Sequence, residues 1–111
     1  MPHNARPVHE VKANLFRVLG HPARVRILEL LREGERSVGT LQAELGLDSG
    51  GTSQHLAALR RIGLVESRRE GTSVFYRVDD ETVFDLLEAG RAIIGRQLAE
   101  QQALLREIVV S

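Results

Sequence analysis

Apolar residues along most of this chain recur at intervals of three and four, and the loss of that interval marks where helices give way to strands. Val11, Leu15, Val18 and Leu19, with Phe16 adjacent, give one apolar side to a helix over 9–19. His21-Pro22 then interrupts the pattern. Proline suits the first turn of a new helix, so a second helix is predicted from 22 to about 33, with His21 capping it or packing at the junction. That helix buries Val25, Ile27, Leu28, Leu30 and Leu31, and Gly34 ends it.

Residues 37–63 read as two short amphipathic helices joined by a tight turn. Ser37 is a good N-cap; Val38, Leu41, Ala43 and Leu45 form the apolar side of the first, and Gly46 supplies the positive φ that stops it. Leu47 is expected to anchor the turn in the core. Asp48, Ser49, Gly50 and Gly51 suit a turn and a helix start, so the second helix should begin near Gly50 with a core stripe of Thr52, Leu56, Leu59 and Gly63. Ser49, Ser53, Gln54, Ala57 and Arg61 then point outward. These residue types suit a DNA major groove: Gln and Arg match base edges, Ser reaches bases or phosphates, and Ala allows close approach to a thymine methyl. Gly50 and Gly51 are expected to leave the helix N-terminus bare, with amides free to hold a phosphate.

Over 65–78 the helical interval is lost. β-Branched and aromatic residues flank Glu70-Gly71-Thr72, which predicts a two-stranded hairpin, with Arg68, Arg69 and Thr72 placed to reach phosphates or the minor groove. Beyond it a helix over 80–109, capped by Asp79 or Asp80, carries Val83, Leu87, Gly90, Ile94, Leu98, Gln101, Leu105 and Ile108 at spacings of three and four. That stripe is longer than a small domain can cover, so it calls for a partner helix. Residues 1–8 lack periodicity, hold two prolines and are expected to form a flexible arm. The whole is a mainly α (α+β) winged helix-turn-helix, with a single domain over 9–111.

Net charge is zero over 111 residues, but the charge is segregated. From 49 to 78 the arginines Arg60, Arg61, Arg68, Arg69 and Arg77 face only Glu66 and Glu70, while Asp79, Asp80, Glu81, Asp85 and Glu88 follow without a base. A local basic face is sufficient for phosphate neutralisation. The absence of cysteine removes disulfides, thiolate metal sites and cysteine nucleophiles. No Gly-rich phosphate loop or helical metal-ligand pair is present, and Ser53 and His55 are too close in sequence to suggest a triad by themselves, which argues against an enzyme. With no long apolar run and no signal-peptide pattern, the expectation is a cytoplasmic chain without a membrane partner.

Three runs together resemble the ArsR/SmtB family of regulators: Leu19-Gly20-His21-Pro22-Ala23-Arg24-Val25-Arg26-Ile27-Leu28, Leu56-Ala57-Ala58-Leu59-Arg60-Arg61-Ile62-Gly63-Leu64-Val65, and Arg69-Glu70-Gly71-Thr72-Ser73-Val74-Phe75-Tyr76. The resemblance implies a homodimeric winged-helix repressor that leaves a near-palindromic operator in double-stranded DNA when an inducer, often a metal ion, binds. It also implies a dimer interface of the first and last helices, here Val11, Leu15, Val83, Leu87, Ile94, Leu98 and Leu105. Ser53, Gln54, Ala57 and Arg61 would read bases, and Ser49, Thr52, His55, Arg60, Arg68, Arg69 and Thr72 would position the backbone. Neither usual metal site of the family is intact. Its Cys-Val-Cys pair corresponds to Ser37-Val38-Gly39, and the last helix has no histidine to join Asp85, Glu88 or Glu100. His3, His9 and Glu10 remain as a nitrogen and oxygen set suited to nickel or zinc, against the plainer alternative of solvated histidines on an arm. A dimer answering a non-metal signal or none, or an interaction module without DNA binding, are the competing readings.

Overall fold

The computed structural model describes residues 6–110, so His3 and most of the expected arm lie outside the described residues. The chain runs α1 (Val8–Leu19), α2 (Pro22–Leu31), β1 (Arg36–Ser37), α3 (Val38–Leu45), α4 (Ser49–Arg61), β2 (Glu66–Glu70), β3 (Ser73–Arg77) and α5 (Thr82–Val110). It divides into two units, one ending at Asp80 and the other, from Glu81 onward, built on α5.

In the first unit the core is drawn from every helix and from the strand approach. Ile27, Leu28, Leu41, Leu56, Leu59, Val65 and Thr52 are fully buried, with Val18, Leu19, Leu30 and Leu31 around them. Each buried aliphatic side chain contributes about 1.5–3 kcal/mol by leaving water. α4 packs on α1, α2 and α3, so its apolar stripe is fixed from three sides.

Both helices of the 37–63 segment end in the same way. The amide of Leu47 reaches back to Gln42 O and that of Gly46 to Ala43 O; the amide of Leu64 reaches Leu59 O and that of Gly63 reaches Arg60 O. This pairing needs a left-handed residue just past the helix, which is Gly46 (φ 66°) in one case and Gly63 (φ 79°) in the other. Gly63 therefore closes α4 and is exposed, instead of lying in the core stripe. Ala43 is also exposed, and Leu47 remains 36% exposed instead of anchoring the turn.

At the helix starts, Ser37 accepts from the Thr40 amide as expected, whereas the start of α4 differs from expectation. Asp48 is the N-cap, and its Oδ1 accepts from the Gly51 amide at 2.6 Å. A Cβ on Gly51 would lie 3.0 Å from that oxygen, so the glycine makes room for the cap. The N-terminus of α4 is therefore occupied by a carboxylate and not bare for phosphate.

The hairpin is one strand richer than expected. β1 pairs antiparallel with β3, giving the order β1-β3-β2, with Arg36 opposite Tyr76 and Ser37 opposite Phe75. A two-residue strand carries no periodicity to reveal it. β2 and β3 pair from Glu66 opposite Arg77 to Glu70 opposite Ser73, leaving Gly71-Thr72 as the turn.

α5 is a single helix of 29 residues that begins beyond the expected aspartate caps, with Glu81 O accepting from the Phe84 and Asp85 amides. Of its expected stripe Val83 is buried, while Ile94, Leu98 and Leu105 are more than half exposed. Ile93, Leu104, Ile108, Val109 and Val110 are exposed as well. Among the described residues, no helix is long and apolar enough to cross a membrane.

Replacing the α4 cap by Asp48→Ala should cost about 1 kcal/mol, with Asp48→Asn close to wild type, as read by urea unfolding followed by circular dichroism. Equal stability of the alanine variant would show that the cap contributes nothing.

Candidate nucleic-acid interface

The outward side of α4 follows from its inward side. With Thr52, Leu56 and Leu59 in the core, Ser49, Ser53, Gln54, Ala57, Arg60 and Arg61 are all exposed. Arg60 and Arg61 in the last turn also complement the negative end of the helix dipole. Neither has a carboxylate partner among the described residues. The set is a polar, basic helix face.

Three residues assigned to DNA contact are occupied otherwise. Thr52 is fully buried and its hydroxyl donates to Asp48 O at 2.9 Å, so it belongs to the core and the helix start. His55 is half-buried and turned toward α2: its Nδ1 accepts from Arg24 Nε at 3.1 Å, and its ring lies 4.2 Å from that of His21 at 47°. Burial, with His21 and Arg24 adding to it, holds the His55 imidazole below its ordinary range. His21 both caps α2, accepting from the Ala23 amide at 3.1 Å, and packs at the junction.

Arg68 is the third. Its Nε and Nη2 both donate to Glu35, with a shortest contact of 2.6 Å, while Nη1 donates to Glu70 at 2.7 Å. Its guanidinium also lies 4.6 Å above the ring of Phe75, its cross-strand partner. The hydrogen bonds from Arg68 hold the Glu35 carboxyl below the usual carboxylate range. Arg77 is likewise paired, donating to Asp79 at 2.8 Å. Of the five arginines between 49 and 78, those without a carboxylate partner among the described residues are Arg60, Arg61 and Arg69, with Thr72 exposed at the hairpin turn.

Sequence reasoning missed Arg24 and Glu35, which hold these groups from 31 and 33 residues away. The only local signal was that each stands beside a structural break, the His21-Pro22 junction and Gly34. Of the nickel or zinc set, His9 and Glu10 are consecutive exposed residues on α1, and His3 is not described. Among the described residues no three metal-ligating side chains come together.

A helix held by its back in a three-helix cluster, preceded by a capped turn and followed by a strand-paired hairpin, defines a winged helix-turn-helix, a fold of transcription regulators. The model of the bacterial regulatory proteins of the arsR family matches residues 21–67. An uncharacterized HTH-type transcriptional regulator of Mycobacterium tuberculosis, Rv0081, is 42% identical over 92% of this chain and 90% of its own length. Its crystal structure superposes with a TM-score of 0.80, covering 87% of this chain and 98% of that one. A biofilm growth-associated repressor of Xylella fastidiosa is 37% identical, over 93% of this chain and 92% of its own. The homodimeric winged helix-turn-helix domain Mb0332 of Mycobacterium bovis, a possible ArsR-family regulator, has a TM-score of 0.70 at 33% identity, over 88% of this chain and 94% of that one. The chain belongs to the ArsR family of bacterial transcriptional regulators.

The ion pairs of the hairpin separate two arginines that are adjacent in sequence. In DNA titrations at several salt concentrations, Arg69→Ala should reduce the slope of log affinity on log salt by about 0.9 per protomer. Arg68→Ala should leave that slope unchanged and lower the unfolding midpoint instead. The reverse pattern would assign phosphate contact to Arg68.

Proposed function

We propose that this chain is a homodimeric, sequence-specific repressor whose paired α4 helices enter successive major grooves of a near-palindromic operator. The observation that carries the reading is the exposed face of α4, where Ser53, Gln54, Ala57 and Arg61 stand free of internal partners while the opposite stripe is locked in the core. Gln54 and Arg61 supply the bidentate donors and acceptors that distinguish base pairs; Ser53 and Ala57 permit close approach. Ser49, Arg60, Arg69 and Thr72 hold the backbone, and His55 supports α4 from behind.

Dimerisation is supported by the apolar residues left exposed within one chain: Val11 on α1, and Ile94, Leu98 and Leu105 on α5. The homodimeric relative from Mycobacterium bovis supports the same assembly. Two-fold symmetry then places half-site centres about 34 Å apart. Repression is supported by the relative from Xylella fastidiosa that is named a repressor, and a promoter-bound regulator works in the cytoplasm. For the signal, a nickel or zinc response would draw on His9 and Glu10 with His3, a set of nitrogen and oxygen donors appropriate to those ions.

Fluorescence anisotropy of the duplex upstream of the chain's own gene, with chelator and then with nickel or zinc, tests each part. Specific binding is expected, and Gln54→Ala with Arg61→Ala should remove about 1–3 kcal/mol of discrimination per residue. Unchanged affinity in the double variant would place the reading face elsewhere. No binding to any promoter fragment would favour an interaction module, and binding indifferent to both ions would discard the metal response while keeping the regulator.

A further inference from the structure

Three elements meet at one side chain, Arg24 of α2. Its Nη1 donates to Val18 O at the end of α1 at 3.2 Å, and its Nε donates to His55 Nδ1 on α4 at 3.1 Å. His55 in turn lies against His21, whose own Nδ1 accepts the Ala23 amide and so starts α2. The Arg24 guanidinium thus ties the helix before it and the outward-facing helix to a single point, and a pair of imidazoles completes the tie.

Both imidazoles accept at Nδ1, which fixes their neutral form with the proton on Nε2. Neither Nε2 then offers a lone pair, so the pair is not arranged to hold a metal. It is arranged to be lost on protonation. A proton on His55 Nδ1 removes the acceptor for Arg24 and sets an imidazolium against a guanidinium. The titratable or charged groups facing His55 are His21, the N-cap of α2, and Arg24 within α2, while α1 contributes only the Val18 carbonyl through Arg24. No carboxylate among the described residues bonds to either ring to stabilise the cation.

We infer that Arg24 and His21 are positioning residues for α4, and that their contact with His55 makes operator binding weaken as pH falls. The inference rests on the DNA-binding reading above. Its sign is the opposite of what a histidine facing phosphate would give, since such a residue gains affinity when it becomes a cation. The His55 imidazole is held below its ordinary range by burial and by its two neighbours, so the intact joint favours the neutral form. The stabilising contribution is therefore complete above the unfolded-state value of about 6.5 and is lost as pH falls toward and through the depressed folded-state value. Glu35, with its carboxyl held low, stays ionised in that window and keeps the hairpin intact.

Two measurements from about pH 8 to about pH 5 test this. Operator affinity of the wild type should fall once His55 titrates, approaching about tenfold per pH unit for each protomer of the dimer, as one linked proton per protomer requires. His55→Gln keeps an acceptor for Arg24 without titrating, and should restore a nearly level profile at close to the wild-type affinity measured at high pH. His21→Asn, which retains a capping side chain but removes the imidazole that lowers His55, should move the fall to higher pH, and Arg24→Lys should weaken binding at every pH. Affinity that rises or stays level on acidification, or the wild-type profile persisting in His55→Gln, would overturn the inference. Without DNA, the imidazole and Arg24 Nε–H resonances are followed by NMR. The Arg24 signal should be protected at high pH and disappear as His55 titrates. If it is indifferent to His55 the joint is absent, whereas its loss in a protein that binds no DNA would refute the operator reading alone.

Discussion

α4 can turn about its own axis only as far as Thr52, Leu56 and Leu59 permit. Those three side chains are buried among residues of the other helices, and rotating the helix would bring them to water and carry the polar side chains inward. Two buried leucines at about 1.5–3 kcal/mol each, with a buried hydroxyl already bonded to Asp48 O, make that rotation costly. The outward face of α4 is thus a by-product of its inward face. The helix presents Ser53, Gln54, Ala57 and Arg61 because nothing else on it can be exposed at lower cost.

Around this constraint the remaining polar groups fall into two sorts. Some are consumed in holding the frame: Asp48 on Gly51, Ser37 on Thr40, Arg24 on Val18 and His55, and Arg68 on Glu35 and Glu70. Others have no internal task and stand at the surface. Composition cannot separate the two, because the same residue type appears in both. Arg68 and Arg69 are neighbours in sequence and alternate across the strand, so one lies over Phe75 and is paired while the other has no carboxylate partner among the described residues.

This accounts for how far the sequence could be read. Helix ends were legible where a single residue determines them, as at Ser37, His21 and Gly46, and the apolar periodicity located α1 to α4 within a few residues. The role of Gly63 was misread because a glycine at the right interval looks like part of a stripe, although its position just past α4 serves the helix end. β1 was invisible because two residues have no period. Partners more than thirty positions apart, His55 with Arg24 and Arg68 with Glu35, depend on how the elements pack and leave no local trace. The exposed side of α4 was therefore legible as a side of a helix, but the set assigned to DNA included side chains occupied within the fold, with Thr52 buried, Arg68 paired with Glu35 and Glu70, and His55 turned toward α2.

The short strand β1 carries a consequence for how such a chain can change over generations. Ser37 pairs with Phe75 of the hairpin and in the same place caps α3, so one residue fastens the wing to the start of the helix-turn-helix. Lengthening or shortening the chain near 34–37 would shift both at once. The Gly71-Thr72 turn lies at the free end of the ladder, where added residues would disturb neither the β1 pairing nor the cap. The tip is thus the place where a change of length disturbs the frame least, altering the reach of the wing while the pitch of α4 stays the same.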